Sequence, residues 1–297
     1  MQKIKNYFID FYKRHFARKS AGQIVIESIM TLFCMTIACS YLYILIWCFI
    51  NSLKTGPEVV LEPFGLPKVL HWENYKNILS ELEVQRVSFF GMLFNSIYFS
   101  VGGALISTYI TALFAYVTTK YKFPGSNLIA TFVFIKMFLP LYGTSAAEYK
   151  MYFNIGLLNS YAFIITACGA MTVNYLYFRA MYKTLSGGTA EAAEIDGAND
   201  FQIWWNIILP QSMGLMTAIF IMSWMQTWGD YTTPLLYLRR LPSLAVGLYM
   251  FEQETVSSAS KHILYAGCVI ISIPPIVLYS FSLKTLTENV TIGAMKE

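Results

Sequence analysis

Charge is what this chain has least of. Asp, Glu, Lys and Arg make up 13% of its 297 residues and hydrophobic residues 56%, against roughly a quarter and a half in a soluble domain. With a mean hydropathy of +0.49, this composition excludes an ordinary water-soluble enzyme and implies an integral membrane chain. Cysteine is scarce as well: Cys34, Cys39, Cys48, Cys168 and Cys268 all fall in apolar stretches, with no Cys-x-x-Cys among them. They read as small packing residues, not as a disulfide framework. His15, His71 and His262 stand far apart without acidic or cysteine neighbours at ligand spacing, so no metal site and no resident cofactor are expected. No Gly-x-x-x-x-Gly-Lys-Ser/Thr phosphate loop occurs, so any ATP must be used elsewhere. No nucleophile, base and metal ligands cluster in the spans, which leaves no catalytic residue to nominate. No basic run interleaved with aromatics marks a soluble segment, which sets nucleic acid aside.

What is present is a series of long apolar runs. Residues 28–53, 87–119, 151–178, 201–229 and 262–283 are almost free of charge, and 123–147 is interrupted by Lys136. Each is long enough for the roughly 20 residues of a spanning helix. They are continuous rather than alternating, which argues against a β-barrel. The expected fold is all-α, with about six transmembrane helices. The apolar start follows a long basic leader without a small-residue cleavage pattern, so the first helix is expected to remain.

The organisation follows as a basic leader (1–23), a first transmembrane helix (24–53), a loop (54–86), a five-helix core (87–285) and a tail (286–297). In the leader Ile4, Tyr7, Phe8, Phe11 and Tyr12 recur at helical spacing beside Lys3, Lys5, Lys13, Arg14, Arg18 and Lys19. This is the pattern of an amphipathic helix on anionic membrane lipid, or of a simple basic anchor. These cations, with Lys120 and Lys122, place both termini in the cytoplasm and the 54–86 and 238–261 loops outside. The net charge of +4 needs nothing more than this asymmetry.

One polar island, residues 186–210, interrupts the grease. Thr189 is a plausible N-cap, Glu191 and Glu194 suit the positive end of a short helix, and Gly197 suits the positive φ that stops it. Asn199 followed by Gln202 reads as the cap of a second short helix running through Trp204 and Trp205 into the fifth transmembrane helix. Pro210 is expected to bend the chain as it reaches the membrane. The residues alone leave two readings open: an ordinary capped loop, or a projecting helix-turn-helix whose Ala192, Ala193 and Ile195 seat in a partner's groove.

The spacing Glu-Ala-Ala, three residues, Gly, nine residues, Ile-x-Leu-Pro resembles the signature loop of permease subunits in binding-protein-dependent ABC importers. The resemblance extends to Asn51-Ser52-Leu53-Lys54-Thr55, Glu73-Asn74-Tyr75, Asn95-Ser96, Ala115-Tyr116, Tyr121-Lys122-Phe123-Pro124-Gly125, Gly156-Leu157-Leu158-Asn159-Ser160-Tyr161 and Ile292-Gly293-Ala294-Met295-Lys296. These are similar to the maltose-type branch and to its second permease subunit. The resemblance implies a type I ABC importer permease fold in a bacterial cytoplasmic (inner) membrane. It also implies a homologous second permease, two ATPase subunits using ATP and magnesium, and an extracellular or periplasmic sugar-binding protein as partners. It further implies ATPase coupling through Glu191, Ala192, Ala193, Glu194 and Gly197. Where the family commonly has Trp-Asn-Asp or Trp-Asn-Glu, this chain has Trp228-Gly229-Asp230.

Lys136 sits about eleven residues from either end of its run, roughly 16 Å at helical rise. An unpaired ammonium there costs about 2.5–3.5 kcal/mol on insertion scales. A water-filled cavity, a pair with a partner subunit and a misplaced helix all remain open. Sugars are held by aromatic faces and a few polar groups, which nominates Lys136, Trp224, Gln226, Trp228, Asp230 and Tyr231 for the substrate path, with Tyr142 and Tyr149 behind them. Aromatics also gather at membrane interfaces with no ligand. The competing function is a stand-alone secondary carrier or channel for a small polar solute, but intramembrane acids or interrupted helices that would mark one are not evident. A membrane-embedded enzyme is a third and weaker alternative.

Overall fold

The computed structural model describes residues 21–121, 123–139, 145–185, 188–254 and 260–294. The amphipathic leader, Lys122, Tyr142, Ser186, Gly187 and the last three residues lie outside them, and with them those expectations. The described chain is almost wholly helical. Helix α1 (Ala21–Ser52) is followed by α2 (Gly56–Leu61), α3 (Glu73–Glu81) and a two-stranded hairpin, β1 (Glu83–Val84) and β2 (Val87–Ser88). Then come α4 (Phe89–Lys120), α5 (Ser126–Phe138) and α6 (Ser145–Asn154). A 3-10 helix (Tyr161–Cys168) leads to α7 (Val173–Thr184), α8 (Gly188–Ile195), α9 (Asp200–Trp228), α10 (Thr232–Tyr237), α11 (Leu244–Glu254) and α12 (Lys261–Ala294).

Four of the six expected apolar segments are single helices long and apolar enough to cross a membrane: α1, α4, α9 and the apolar part of α12. The other two depart from the expectation. The run 151–178 is not one helix: the 3-10 helix and α7 meet at 48° across residues 169–172. Helix α5 has 13 residues, about 20 Å at 1.5 Å per residue and short of the roughly 30 Å hydrocarbon core. Lys136 therefore lies in the last turn of α5, not at mid-helix. Exposed Val25, Ile29, Phe33, Leu42 and Ile46 of α1 present an apolar surface suited to lipid.

A polar knot anchors the far end of α1. Lys54 is completely buried. Its Nζ donates to Asn51 Oδ1 at 3.0 Å and to the Glu62 carbonyl at 2.8 Å. Asn51 Nδ2 donates to the carbonyls of Trp47 and Pro63, and Ser52 Oγ pairs with the Tyr75 hydroxyl at 2.7 Å. Burial pushes the Lys54 ammonium below the usual lysine range, while Glu58 and Glu62 pull the other way. These bonds let a charge survive burial, because an unpaired ion there would cost several kcal/mol. The hairpin beyond turns at Gln85 and Arg86, both at positive φ, the geometry of a tight two-residue turn.

Helices α4 and α9 each contain a widened, π-helical turn, at Tyr98–Gly102 and Trp204–Ile208. The second lies just before Pro210, and the chain passes Pro210 within one continuous helix. Helix α4 spans about 48 Å by its rise, so its ends mark opposite ends of the bundle. Near its start, Ile78, Leu82, Phe89, Met92, Leu244 and Ile263 form one core. Near its end, Ala112, Ala115, Tyr116, Tyr175, Phe178, Tyr182, Ile203 and Trp204 form another. Small residues and aromatics dominate the latter, as expected where helices approach closely in lipid.

Three separated sequence segments meet at the first end. Asn95 Nδ2 donates to the Pro242 carbonyl, Tyr161 Oη donates to Asn95 Oδ1 at 3.1 Å, and Leu244 N donates to Ser96 Oγ at 2.8 Å. Asn159, at φ 55°, accepts from Arg240 N through its side chain and donates its own N–H to the Tyr237 carbonyl. Asparagine tolerates this left-handed backbone better than most residues. The Asn95-Ser96 and Asn159-Ser160-Tyr161 motifs thus bind one shared loop.

Candidate functional site

At the second end of the bundle the polar island forms two joined helices. Helix α8 begins at Gly188, so Thr189 lies in its first turn and not outside as a cap. Gly197 closes it at φ 87°, with its N–H bonded to the Glu194 carbonyl and Ala198 N to that of Ala193. The capping box is complete: Gln202 N donates to Asn199 Oδ1 at 2.9 Å, and Asn199 N donates to Gln202 Oε1 at 2.8 Å. It opens α9, and the chain runs on through Trp204 and Trp205 into the membrane-crossing helix, as the sequence suggests.

Lys120, at the end of α4, ties this unit down. Its Nζ is 3.0 Å from Asp200 Oδ1 and 4.0 Å from Glu194 Oε1. It also lies over the rings of Tyr116 and Tyr121. Burial pushes the Tyr121 phenol up to about 12, and a hydrogen bond with Asp200 adds to the shift. Ala190, Ala193 and Ala198 pack on the core beneath. Glu191, Ala192 and Ile195 point away, Ile195 at 86% exposure, beside exposed Phe201 and Trp205, whose rings stack at 6.2 Å. The residues grouped by sequence therefore divide: Ala193 seats the helix on its own bundle, and Glu191, Ala192 and Ile195 face outward.

Between the two cores lies a cavity of about 930 Å³. Lys136, Gln226, Trp228 and Asp230 line it; Trp224 and Tyr231 do not. Trp224 is buried behind the wall and stacks on Trp228 at 5.3 Å, while Tyr231 stacks on Tyr249 at 4.8 Å. Tyr149 stacks on Tyr237 away from the cavity. Trp228 Nε1 donates to the Ile271 carbonyl at 3.0 Å, which satisfies its one polar atom and fixes the ring. Asp230 Oδ1 accepts from Thr232 N and Thr233 N at 2.9 and 3.1 Å. Lys136 Nζ donates to the Met171 carbonyl at 3.3 Å.

Sequence reasoning missed Ser100, Thr172 and Asn174, which also line this cavity. Each is a polar residue within an apolar run, and Gly169 beside Thr172 was the available signal of a broken span. Arg179 was missed too: buried, it donates to the Ser126 carbonyl, Asn127 Oδ1 and Tyr175 Oη, holding α5 to α7. No group of three or more His, Cys, Asp or Glu side chains suited to a metal ion occurs among the described residues.

A family model described as the binding-protein-dependent transport system inner membrane component matches residues 107–291. The arabinooligosaccharides transport system permease protein AraQ of Bacillus subtilis is 24% identical over 270 residues, covering 90% of this chain and 95% of that protein. The probable starch degradation products transport system permease protein AmyC of Thermoanaerobacterium thermosulfurigenes is 26% identical, covering 84% and 89%. The sn-glycerol-3-phosphate transport system permease protein UgpE of Rhizobium meliloti is 27% identical, covering 77% and 83%. In fold, the chain is similar to a chain in the crystal structure of a bacterial ABC transporter involved in the import of the acidic polysaccharide alginate. The TM-score is 0.73 at 22% identity, over 90% of this chain and 98% of that one.

Proposed function

The chain belongs to the family of binding-protein-dependent transport system inner membrane components, and on that premise we propose that it is a permease subunit of an ATP-driven ABC importer for a sugar or oligosaccharide. It works beside a second, homologous permease, two ATPase subunits that hold ATP and magnesium, and an external sugar-binding protein. The names of the arabinooligosaccharide and starch-product relatives support the carbohydrate class.

The observation that carries the coupling role is the outward face of α8, held rigidly by Lys120, the capping box and the Gly197 stop. Closure of the ATPases on ATP pushes Glu191, Ala192 and Ile195. Because α9 continues directly from the capping box to Trp228 on the cavity wall, one rigid helix carries that displacement to the substrate. A bistable pair of packings then exposes the cavity to one side or the other, which is alternating access. Both termini and α8 lie in the cytoplasm, and the binding protein rests on residues 54–86 and 238–261.

Affinity purification of the tagged full chain from its native membrane tests this. Recovery of a homologous permease and an ATPase, with ATP hydrolysis stimulated by sugar-loaded binding protein, is the expected outcome. A chain that emerges alone and transports solute alone would overturn it in favour of a secondary carrier.

A further inference from the structure

The break between the 3-10 helix and α7 has a chemical consequence within the cavity. Thr172, Val173 and Asn174, the N-terminus of a 12-residue helix, line the wall. The first N–H groups of any helix lack intrahelical acceptors, and the Thr172 side chain caps none of them. Thr172 Oγ1 is itself buried without a hydrogen-bond partner. So is Ser100 Oγ, on a residue 1% exposed that lines the same cavity. Lys136 Nζ, with three donor protons, spends one on the Met171 carbonyl immediately before this terminus. The helix N-terminus and Lys136 thus bring positive potential and free N–H donors together at one point of the wall.

The one carboxylate on the wall among the described residues is engaged at the start of α10 rather than with Lys136. Asp230 is turned to its own backbone, where Oδ1 accepts two N–H bonds at the start of α10. No ion pair between Lys136 and an acid occurs among the described residues. A half-helix N-terminus opening into a membrane cavity favours negative charge through its dipole and its free N–H groups. A lysine at the same place adds a full positive charge.

We propose that this cavity is an anion-accepting subsite and that the imported sugar carries a carboxylate or phosphate, which docks between Lys136 Nζ and the open N-terminus of α7. Ser100 and Thr172 donate their hydroxyl protons to the anion or to adjacent sugar oxygens. The inference rests on the importer reading for the word imported, and on the cavity alone for the sign of the charge.

The test uses the complex purified with the tagged chain and equilibrium dialysis with three radiolabelled probes: digalacturonate, glucose 6-phosphate and neutral maltose. At least one acidic probe binds at least about tenfold more tightly than maltose, the effect of one charge-assisted hydrogen bond. Which acidic probe wins distinguishes carboxylate from phosphate. Lys136→Gln erases the preference and Lys136→Arg restores it; Ser100→Ala lowers acidic-probe affinity while leaving assembly intact. Equal binding of maltose and both acidic probes overturns the proposal, as does a preference retained in Lys136→Gln. Loss of the second permease from the Lys136→Gln complex also overturns it, because the lysine then serves pairing between subunits. If the wild-type chain purifies alone, the importer reading fails, and dialysis on that lone chain still decides the charge preference.

Discussion

Asn74 closes over Lys54: its Nδ2 donates to the carbonyls of Ser52 and Lys54 at 2.8 and 2.9 Å, sealing the turn that holds the buried ammonium. Two motifs some twenty residues apart thus make one object. The knot joins the end of the lipid-facing α1 to the folded loop, just beyond the point where Trp47 and Cys48 hold α1 to Tyr265 of α12.

Asn74→Ala leaves two buried carbonyls without donors, each worth about 1–3 kcal/mol. A clear drop in the melting temperature of the detergent-solubilised protein is expected. Lys54→Met, which orphans Asn51 Oδ1 and takes one of two donors from the Glu62 carbonyl, is also expected to destabilise. A melting curve unchanged in both variants would show that the knot contributes nothing net.

Gly197 stands at φ 87° with open space around the position a Cβ would take. The cost of substitution is therefore backbone strain alone, about 1–2 kcal/mol for a residue that disfavours the left-handed region. Gly197→Asn is expected to retain sugar-stimulated ATP hydrolysis, and Gly197→Val to lose much of it. Gly197→Pro is expected to uncouple hydrolysis from uptake outright or to prevent ATPase assembly. Full coupling in the valine and proline variants would remove the helix stop from the mechanism.

The Lys120–Asp200 pair is partly exposed, so solvent screening leaves it little net worth to stability. Its value is positional. Lys120→Asp and Asp200→Lys are each expected to cut transport several-fold at nearly unchanged melting temperature, and the double exchange to recover part of the loss. Transport assays on proteoliposomes decide this; no recovery in the double variant refutes a direct pairing role.

On the exposed face of α8, Glu191→Lys reverses a charge without touching the core beneath. ATPase recovery in pull-downs should fall while the permease pair stays intact. Retained ATPase binding together with full turnover would place the docking contact elsewhere.

Gly102 lies where a Cβ would come within 2.6 Å of Ile164 Cδ1, so a side chain there must displace the end of Ile164 on the 3-10 helix. Gly102→Val is expected to lower stability by about 1–3 kcal/mol through overpacking. It should also weaken substrate binding, since Gly103 and Ile164 line the cavity. Wild-type affinity in this variant would show that the cavity wall does not depend on the close approach.

Composition and apolar run length alone determined the membrane class and the helical fold, because every backbone polar group in lipid must be satisfied within a helix or a closed barrel. The Gly197 stop and the Asn199–Gln202 cap were also legible, since each depends on residues at most three positions apart. Tertiary structure alone decided the rest. Periodicity and run length see apolarity rather than continuity, so the break at 169–172 read as one span and Lys136 as a mid-helix charge. Whether Ala193 faces its own bundle or a partner, whether Trp224 lines a cavity or backs its wall, and that Asn51, Lys54 and Asn74 share one knot all depend on contacts between distant segments. Those contacts exist only once the helices have packed.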